Sequence, residues 1–126
     1  MPRVVHFEIH ASDMDRAERF YIEAFGWTVQ RWQGPVDYRL LMTGSEKDPG
    51  INGALVGRRP GEASDGGAVN GYVCTVAVES IEEAESKIAA AGGVQVVDRQ
   101  TIPGVGDLSY FKDTEGNIFG ALQPSL

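Results

Sequence analysis

Three titratable side chains open the chain at a spacing that could do chemistry. In the run VVHFEIHASD, His6, Glu8 and His10 stand at every second position, with Val5, Phe7, Ile9 and Ala11 between them. Alternation of that kind marks a half-buried strand and puts the polar set on one face. Imidazoles and a carboxylate on one face suggest a metal site, or a general base beside a polar partner. Spacing limits the first option. Strand residues two apart lie roughly 6.6 Å apart along the chain, and residues four apart roughly 13 Å. His6 and Glu8 can converge on one atom; His6 and His10 cannot share one ion.

The elements that must position these groups repeat. After the strand RVVHFEIHA, the segment SDMDRAERFYIEAFG reads as a helix, with Ser12 or Asp13 as N-cap and Gly26 just past its end. Its core stripe is expected to be Met14, Ala17, Phe20 or Tyr21, and Ala24. Three strands follow, WTVQRW, DYRLLMT and INGALVG, separated by the turn signals GP and KDPG. The second half has the same order. GYVCTVAVE is a strand, SIEEAESKIAAAGG a helix with a capping box from Ser80 to Glu83 and a Gly92-Gly93 stop, and VQVVDRQ, DLSYFKD and NIFGALQ are strands. The run beginning at Asp37 echoes that beginning at Asp107, and Gly53-Ala54-Leu55 echoes Gly120-Ala121-Leu122. The fold class is therefore α+β: two βαβββ modules, residues 1–57 and 71–126, within one domain spanning 1–126. The Gly-rich polar segment around residues 58–70 joins them. Each sheet must bury one face under its helix. Set edge to edge, the two sheets are expected to form an open, incomplete barrel whose helix-free central cleft takes the ligand.

Composition narrows the function. The chain has 126 residues, 42% of them hydrophobic, enough for one buried core. A net charge of −7 and a pI near 4.7 argue against nucleic acid and anionic membrane surfaces as partners. With no long apolar run and no signal-like start, the expected location is the cytoplasm. The single cysteine, Cys74, lies on the parity of Tyr72, Val76 and Val78 and is expected to be buried and inert.

Parity then selects the cleft. Val5, Phe7 and Ile9 should pack under the first helix, leaving His6, Glu8 and His10 in the cleft. Tyr38, Leu40 and Met42 should join them, and from the second module Val73, Thr75, Leu108, Tyr110, Lys112, Ile118, Gly120 and Leu122. A one-residue slip reverses any of these assignments. An apolar surface with a few convergent polar groups is how small-molecule sites look.

The runs VVHFEIHASDMDRAERFYIEAFGW, SIEEAESKIAAAGG and IPGVGDLSYFKDTEGNIFGALQPS cover nearly the whole chain. With FYxxxFGW and DTEGN inside them, the chain resembles the vicinal oxygen chelate superfamily, which includes glyoxalases, bleomycin-resistance proteins and extradiol dioxygenases. It is most similar to short lactoylglutathione-lyase-related proteins. The resemblance implies the paired-module fold and, in the family's enzymes, a divalent metal held by one side chain from the first and last strand of each module. Carried onto this chain, those positions are His6, Gly53, Val73 and Gly120, and only His6 can ligate. The glutamate of the family's GNxxE pattern is replaced by Gly120. One imidazole does not make a site that needs about three protein ligands, so no cofactor is expected and a divalent metal is disfavoured. The family's habit and the open sheet edges favour a homodimer.

Each candidate has a plainer reading. His6 is either a ligand contact or a relic hydrogen-bonded to a neighbour; Glu8 is a general base or half of a structural pair. His10 sits where glutathione-using relatives place a basic residue, or is simply solvated. Lys112, Arg58 and Arg59 are anion contacts or solvated charges, and Asn52 contacts a ligand or caps a turn. The expected function is small-molecule binding in the cleft without the usual metal, with His6, Glu8, His10, Tyr38, Leu40, Asn52, Tyr110 and Lys112 as contacts. The alternative is a glyoxalase-like lyase or isomerase in which Glu8 and His6 catalyse through a non-standard metal or by acid–base chemistry alone.

Overall fold

A computed structural model describes residues 2–58, 71–114 and 117–125. The segment expected to join the modules lies almost wholly outside the described residues, as do Arg59 and the Glu-Gly of DTEGN. Two compact units emerge: His6–Tyr72, and Val73–Leu126 together with Met1–Val5.

In the first unit, β1 (Arg3–Ala11), α1 (Met14–Phe25), β2 (Thr28–Arg31), β3 (Tyr38–Met42) and β4 (Gly53–Gly57) follow in order. β1 runs parallel to β4, and β3 lies antiparallel between β4 and β2. The second unit repeats the pattern with β5 (Val73–Ala77), α2 (Ile81–Ala90), β6 (Val94–Ile102), β7 (Gly106–Lys112) and β8 (Ile118–Pro124). β5 is parallel to β8, and β7 lies antiparallel between β8 and β6. The parallel pair in each unit needs a crossover, and the helix supplies it. The α+β class and the βαβββ order are as the sequence implies. Among the described residues, no helix is long and apolar enough to cross a membrane.

Local signals set the helix ends. Asp13 caps α1, its carboxylate accepting from the Arg16 amide at 3.0 Å, and Gly26 closes it in the left-handed conformation at φ 71°. Ser80 caps α2 by accepting from the Glu83 amide at 3.2 Å. At the start of β7, Gly106 takes φ 144°, and a Cβ there would lie 2.1 Å from the Gln123 carbonyl oxygen, so only glycine fits.

Under α1 the core is Phe7, Ile9, Leu41 and Leu55, with Met14, Ala17, Tyr21, Trp27 and Val29 packed against it. Under α2 it is Ile81, Phe111 and Ala121, with Val78, Ile88 and Phe119. Burying each large apolar side chain contributes about 1.5–3 kcal/mol. Several expectations need correction. Of Phe20 and Tyr21, Tyr21 takes the α1 stripe, whereas Ala24, expected in it, is exposed. Val5 is exposed too, lying on β1 before Phe7, where the ladder with β4 begins. Cys74 is exposed rather than buried. The ten-residue α2 is only about 15 Å long, and its cluster reaches β5 at the Val78 end, leaving Cys74 uncovered.

One charge lies inside the first core. Arg39 shares the parity of Leu41 and is 5% exposed. Its Nε and Nη2 donate to the two oxygens of Asp37 at 2.9 and 3.0 Å, and Nη1 donates to Asp15 at 2.9 Å and Glu18 at 3.2 Å on α1. This bidentate fork ties β3 to the helix above it. Asp37 is held below the ordinary carboxylate range, first by its hydrogen bonds from Arg39.

Candidate functional site

Strand register brings three of the expected residues together on the helix-free face of the first sheet. Glu8 lies opposite Ala54 across the β1–β4 ladder, and Leu40 lies opposite Ala54 across β3–β4. Tyr38, two residues before Leu40, therefore reaches back toward β1. Its hydroxyl donates to Glu8 Oε2 at 3.2 Å and lies 2.9 Å from His6 Nε2. All three side chains are half-buried.

Elementary hydrogen-bond chemistry fixes the proton positions. An ionised carboxylate only accepts, so the single Tyr38 proton goes to Glu8. The Tyr38 oxygen then accepts from His6, which must carry a hydrogen on Nε2 and leave its Nδ1 lone pair for something else. Burial pushes the His6 pKa below its ordinary value, opposed by the Glu8 charge. His6 is thus a neutral imidazole at pH 7, part of a carboxylate–phenol–imidazole chain.

Trp32 borders this chain. Its amide donates to the Tyr38 carbonyl at 2.8 Å, continuing the β2–β3 ladder, so its side chain takes the face of Tyr38. The two rings meet edge to face at 6.3 Å and 78°. The indole also crosses the backbone at Gly34, where a Cβ would lie 2.1 Å from the ring. Trp32 follows Arg31, whose partner is Arg39, so Trp32 faces Tyr38, a pairing set by register rather than by alternation along either strand.

The remaining candidates lie elsewhere. Asn52 takes the turn reading: its Oδ1 accepts from the Thr43 amide at 2.8 Å. His10, at the end of β1, borders a separate groove of about 650 Å³ with Arg16, Phe20, Tyr21 and Arg58. Arg58 Nε donates to Ser12 Oγ there at 3.1 Å. In the second unit, Tyr110 is half-buried opposite Gly120, and Lys112 is exposed at the end of β7.

The superfamily's metal positions carry no ligand set in this structure. A Cβ on Gly120 would meet Thr75 Oγ1 at 2.8 Å and Tyr110 Cε1 at 3.1 Å, so those side chains already occupy the place of a ligand at 120. A Cβ on Gly53 would meet the Phe7 ring at 2.6 Å, on the helix-covered side. The β4 residue on the helix-free face is therefore Ala54, not Gly53. Neither can ligate, and Val73 cannot. His6 alone is left, its Nε2 engaged with Tyr38. One imidazole with no second protein ligand does not fit the superfamily's metal, and among the described residues no group of three or more His, Cys, Asp or Glu could hold one.

Comparison with known proteins agrees with this architecture. Residues 3–44 match the family described as bleomycin resistance protein-like N-terminal. A candidate glyoxylase, CFP32, of Mycobacterium tuberculosis is 28% identical over 120 residues, which is 94% of this chain and 42% of that protein. The chain has the fold of the vicinal oxygen chelate superfamily. Among solved structures of this superfamily's fold, a Streptomyces coelicolor methylmalonyl-CoA epimerase in complex with 2-nitronate-propionyl-CoA matches with a TM-score of 0.74 at 17% identity, covering 100% of this chain and 99% of that one. A methylmalonyl-CoA epimerase from Mycobacterium tuberculosis gives 0.68 at 14% identity over 98% and 88%. A glyoxalase/bleomycin resistance protein/dioxygenase superfamily member from Vibrio splendidus gives 0.64 at 16% identity over 98% and 99%. The chain spans about two-fifths of the curated relative's length.

Proposed function

We propose that this chain is a cytoplasmic protein that binds a small molecule on the helix-free face of its first sheet, without the divalent metal of the superfamily's enzymes. The observation that carries the reading is the His6–Tyr38–Glu8 chain, which engages the Nε2 of the single ligating residue among the superfamily's metal positions. Its open Nδ1 lone pair accepts from a ligand N–H or O–H, while Leu40 and the edge of Trp32 offer apolar contact. The acidic balance of the chain and the lone cysteine accord with a cytoplasmic location.

The test is elemental analysis of untagged protein, followed by an NMR screen of small amphipathic compounds with the His6 and Trp32 resonances as reporters. Expected are no stoichiometric metal, and ligands whose shifts at Trp32 saturate and weaken at least tenfold in His6→Ala. A near-stoichiometric metal lost in His6→Ala, or no ligand that reaches these resonances, overturns the reading.

A second reading draws on the likeness to epimerases. Glu8 as base, with Tyr38 and His6 relaying its proton, would exchange a carbon-bound hydrogen beside a carbonyl. Incubating the protein with methylmalonyl-CoA in D₂O and following deuterium at the α-carbon tests it. Exchange abolished in Glu8→Gln supports catalysis; exchange at the uncatalysed rate removes it.

A further inference from the structure

The groove beside α1 is large enough for a small molecule and lies apart from the His6 face. Its volume of about 650 Å³ falls in the range of ligand pockets. Ile9 and Ala11, both buried on the helix-covered side of β1, form its floor, and Ala17, Phe20 and Tyr21 of α1 form one wall. It therefore opens on the opposite side of the sheet from Tyr38 and Glu8. Its lining residues all belong to the first unit.

The rim of this groove runs against the charge balance of the chain. The whole sequence has 11 basic and 18 acidic side chains. Arg16, Arg58 and His10 border the groove, against the single carboxylate of Asp13 among the described residues. Asp13 caps α1 by accepting from the Arg16 amide, the main cause of its lowered pKa, and its charge also acts on Arg16 and Arg19. One carboxylate against two guanidinium groups leaves the rim positive.

The end of the β1–β4 ladder sets where Arg58 stands. Its amide donates to the Ala11 carbonyl at 3.0 Å, one residue past the Ala11–Gly57 pair, and its Nε donates to Ser12 Oγ at 3.1 Å. The second bond holds a planar fork of N–H donors at the rim. Arg16 stands in the first turn of α1, and among the described residues its guanidinium makes no hydrogen bond or ion pair. Beside these cations lies open ring surface. Phe20 meets Tyr21 edge to face at 5.0 Å and is 56% exposed.

We propose that this groove binds a small organic anion, with a flat apolar group against Phe20 and Tyr21 and a carboxylate or phosphate held by Arg58 and Arg16. Guanidinium forks match the oxygens of both anions. An inorganic anion would leave the ring wall and the Ile9–Ala11 floor unused, an uncharged aromatic would make no use of the arginines, and a cation would be repelled by the rim. The site is independent of the small-molecule reading above, since the groove contains none of His6, Glu8, Tyr38 and Trp32.

Amide NMR titrations of the whole chain test it, with phenyl phosphate, phenylacetate, inorganic phosphate and benzyl alcohol as probes. Both aromatic anions are expected to give saturable shifts at Ala17, Phe20 and Arg58. They should bind at least about fivefold more tightly than inorganic phosphate or benzyl alcohol, and less tightly in about 0.5 M NaCl, because the rim is solvated and salt screens it. Arg16→Gln and Arg58→Gln should each weaken them at least about threefold while the rest of the spectrum is unchanged. Phe20→Ala, outside the core, should erase the preference over inorganic phosphate, and His6→Ala should change nothing. Tighter binding of phenyl phosphate assigns a phosphate ester, and tighter binding of phenylacetate a carboxylate; either supports the site. No saturable shift in the groove with either aromatic anion overturns the proposal. So does an affinity unmoved in Arg16→Gln/Arg58→Gln, benzyl alcohol binding as tightly as the anions, or loss of the anions in His6→Ala, which would put them on the other face.

Discussion

The buried Arg39 fork makes an asymmetric prediction about which partner is costlier to remove. Replacing Arg39 by methionine leaves three carboxylates behind. Asp37 and Asp15 have side chains 53% and 68% exposed, so both rehydrate. Glu18 keeps Arg31 at 3.7 Å. Exposed ion pairs contribute about 0.2–1 kcal/mol each, and methionine fills part of the vacated stem, so the net loss should be near 1 kcal/mol. Asp37→Ala is different. It strips Nε and Nη2 of a 5% exposed guanidinium of their acceptors while the charge stays inside. Breaking a buried pair from one side costs about 3–5 kcal/mol when nothing else compensates. Nη1 keeps Asp15 and Glu18, so about 2–4 kcal/mol is expected. At about 4 °C per kcal/mol for a domain of this size, thermal unfolding should fall by about 8–16 °C in Asp37→Ala and about 4 °C in Arg39→Met. Adding Arg39→Met to Asp37→Ala should then recover stability, since it removes the stranded charge. Equal losses in the two single variants, or a larger loss in Arg39→Met, would show that the guanidinium is not desolvated as described.

Four further outcomes follow from the geometry. His6 binds its proton less readily folded than unfolded, so stability should decline as pH falls through 6.5 and level off below its folded pKa; urea titrations from pH 8 to pH 5 should show that step in the parent and not in His6→Gln. Removing the Glu8 charge takes away what opposes desolvation, so Glu8→Gln should lower the His6 pKa further; with two histidines in the chain, the NMR titration has one control resonance. Tyr21 is pushed up to about 12, first by burial and then by its hydrogen bond with Tyr72, so ultraviolet titration should find one late phenol that moves back toward 10 in Tyr72→Phe. A Cβ at Gly53 would meet the Phe7 ring and carbonyl oxygen at 2.6 Å, so Gly53→Ala should cost about 1–3 kcal/mol, whereas at Gly57 nothing lies within 4 Å and alanine should be tolerated; equal unfolding midpoints would refute the contrast.

Alternation along single strands was enough to put His6 and Glu8 on one face and Phe7 and Ile9 on the other. It could not supply Tyr38, because reach between strands depends on register, which no one strand encodes. The matching Gly-Ala-Leu runs show the same limit more sharply. Read as repeats, Gly53 and Gly120 seem equivalent, yet Leu55 and Ala121 are the residues in the two cores. The second run is offset by one residue relative to its sheet, and identical letters face opposite ways. Arg39 was hidden for another reason: a guanidinium at a core parity becomes sensible only once Asp15 and Glu18 are known to hang over it from α1. Cys74 followed the parity of core residues, but how far a helix covers its sheet is a matter of length and placement, not of alternation.

The way α1 is fastened has a consequence for motion. It rests on the sheet through the partly covered Met14, Ala17 and Tyr21 and through the carboxylates that grip Arg39. Lifting it would return Phe7, Ile9, Leu41 and Leu55 to water and strip the Arg39 guanidinium of Asp15 and Glu18. Its central amides should therefore exchange with solvent only near the global unfolding free energy, together with those in β3 and β4. Helix and sheet are then one cooperative body, and the face that carries His6, Tyr38 and Glu8 is kept in shape from behind.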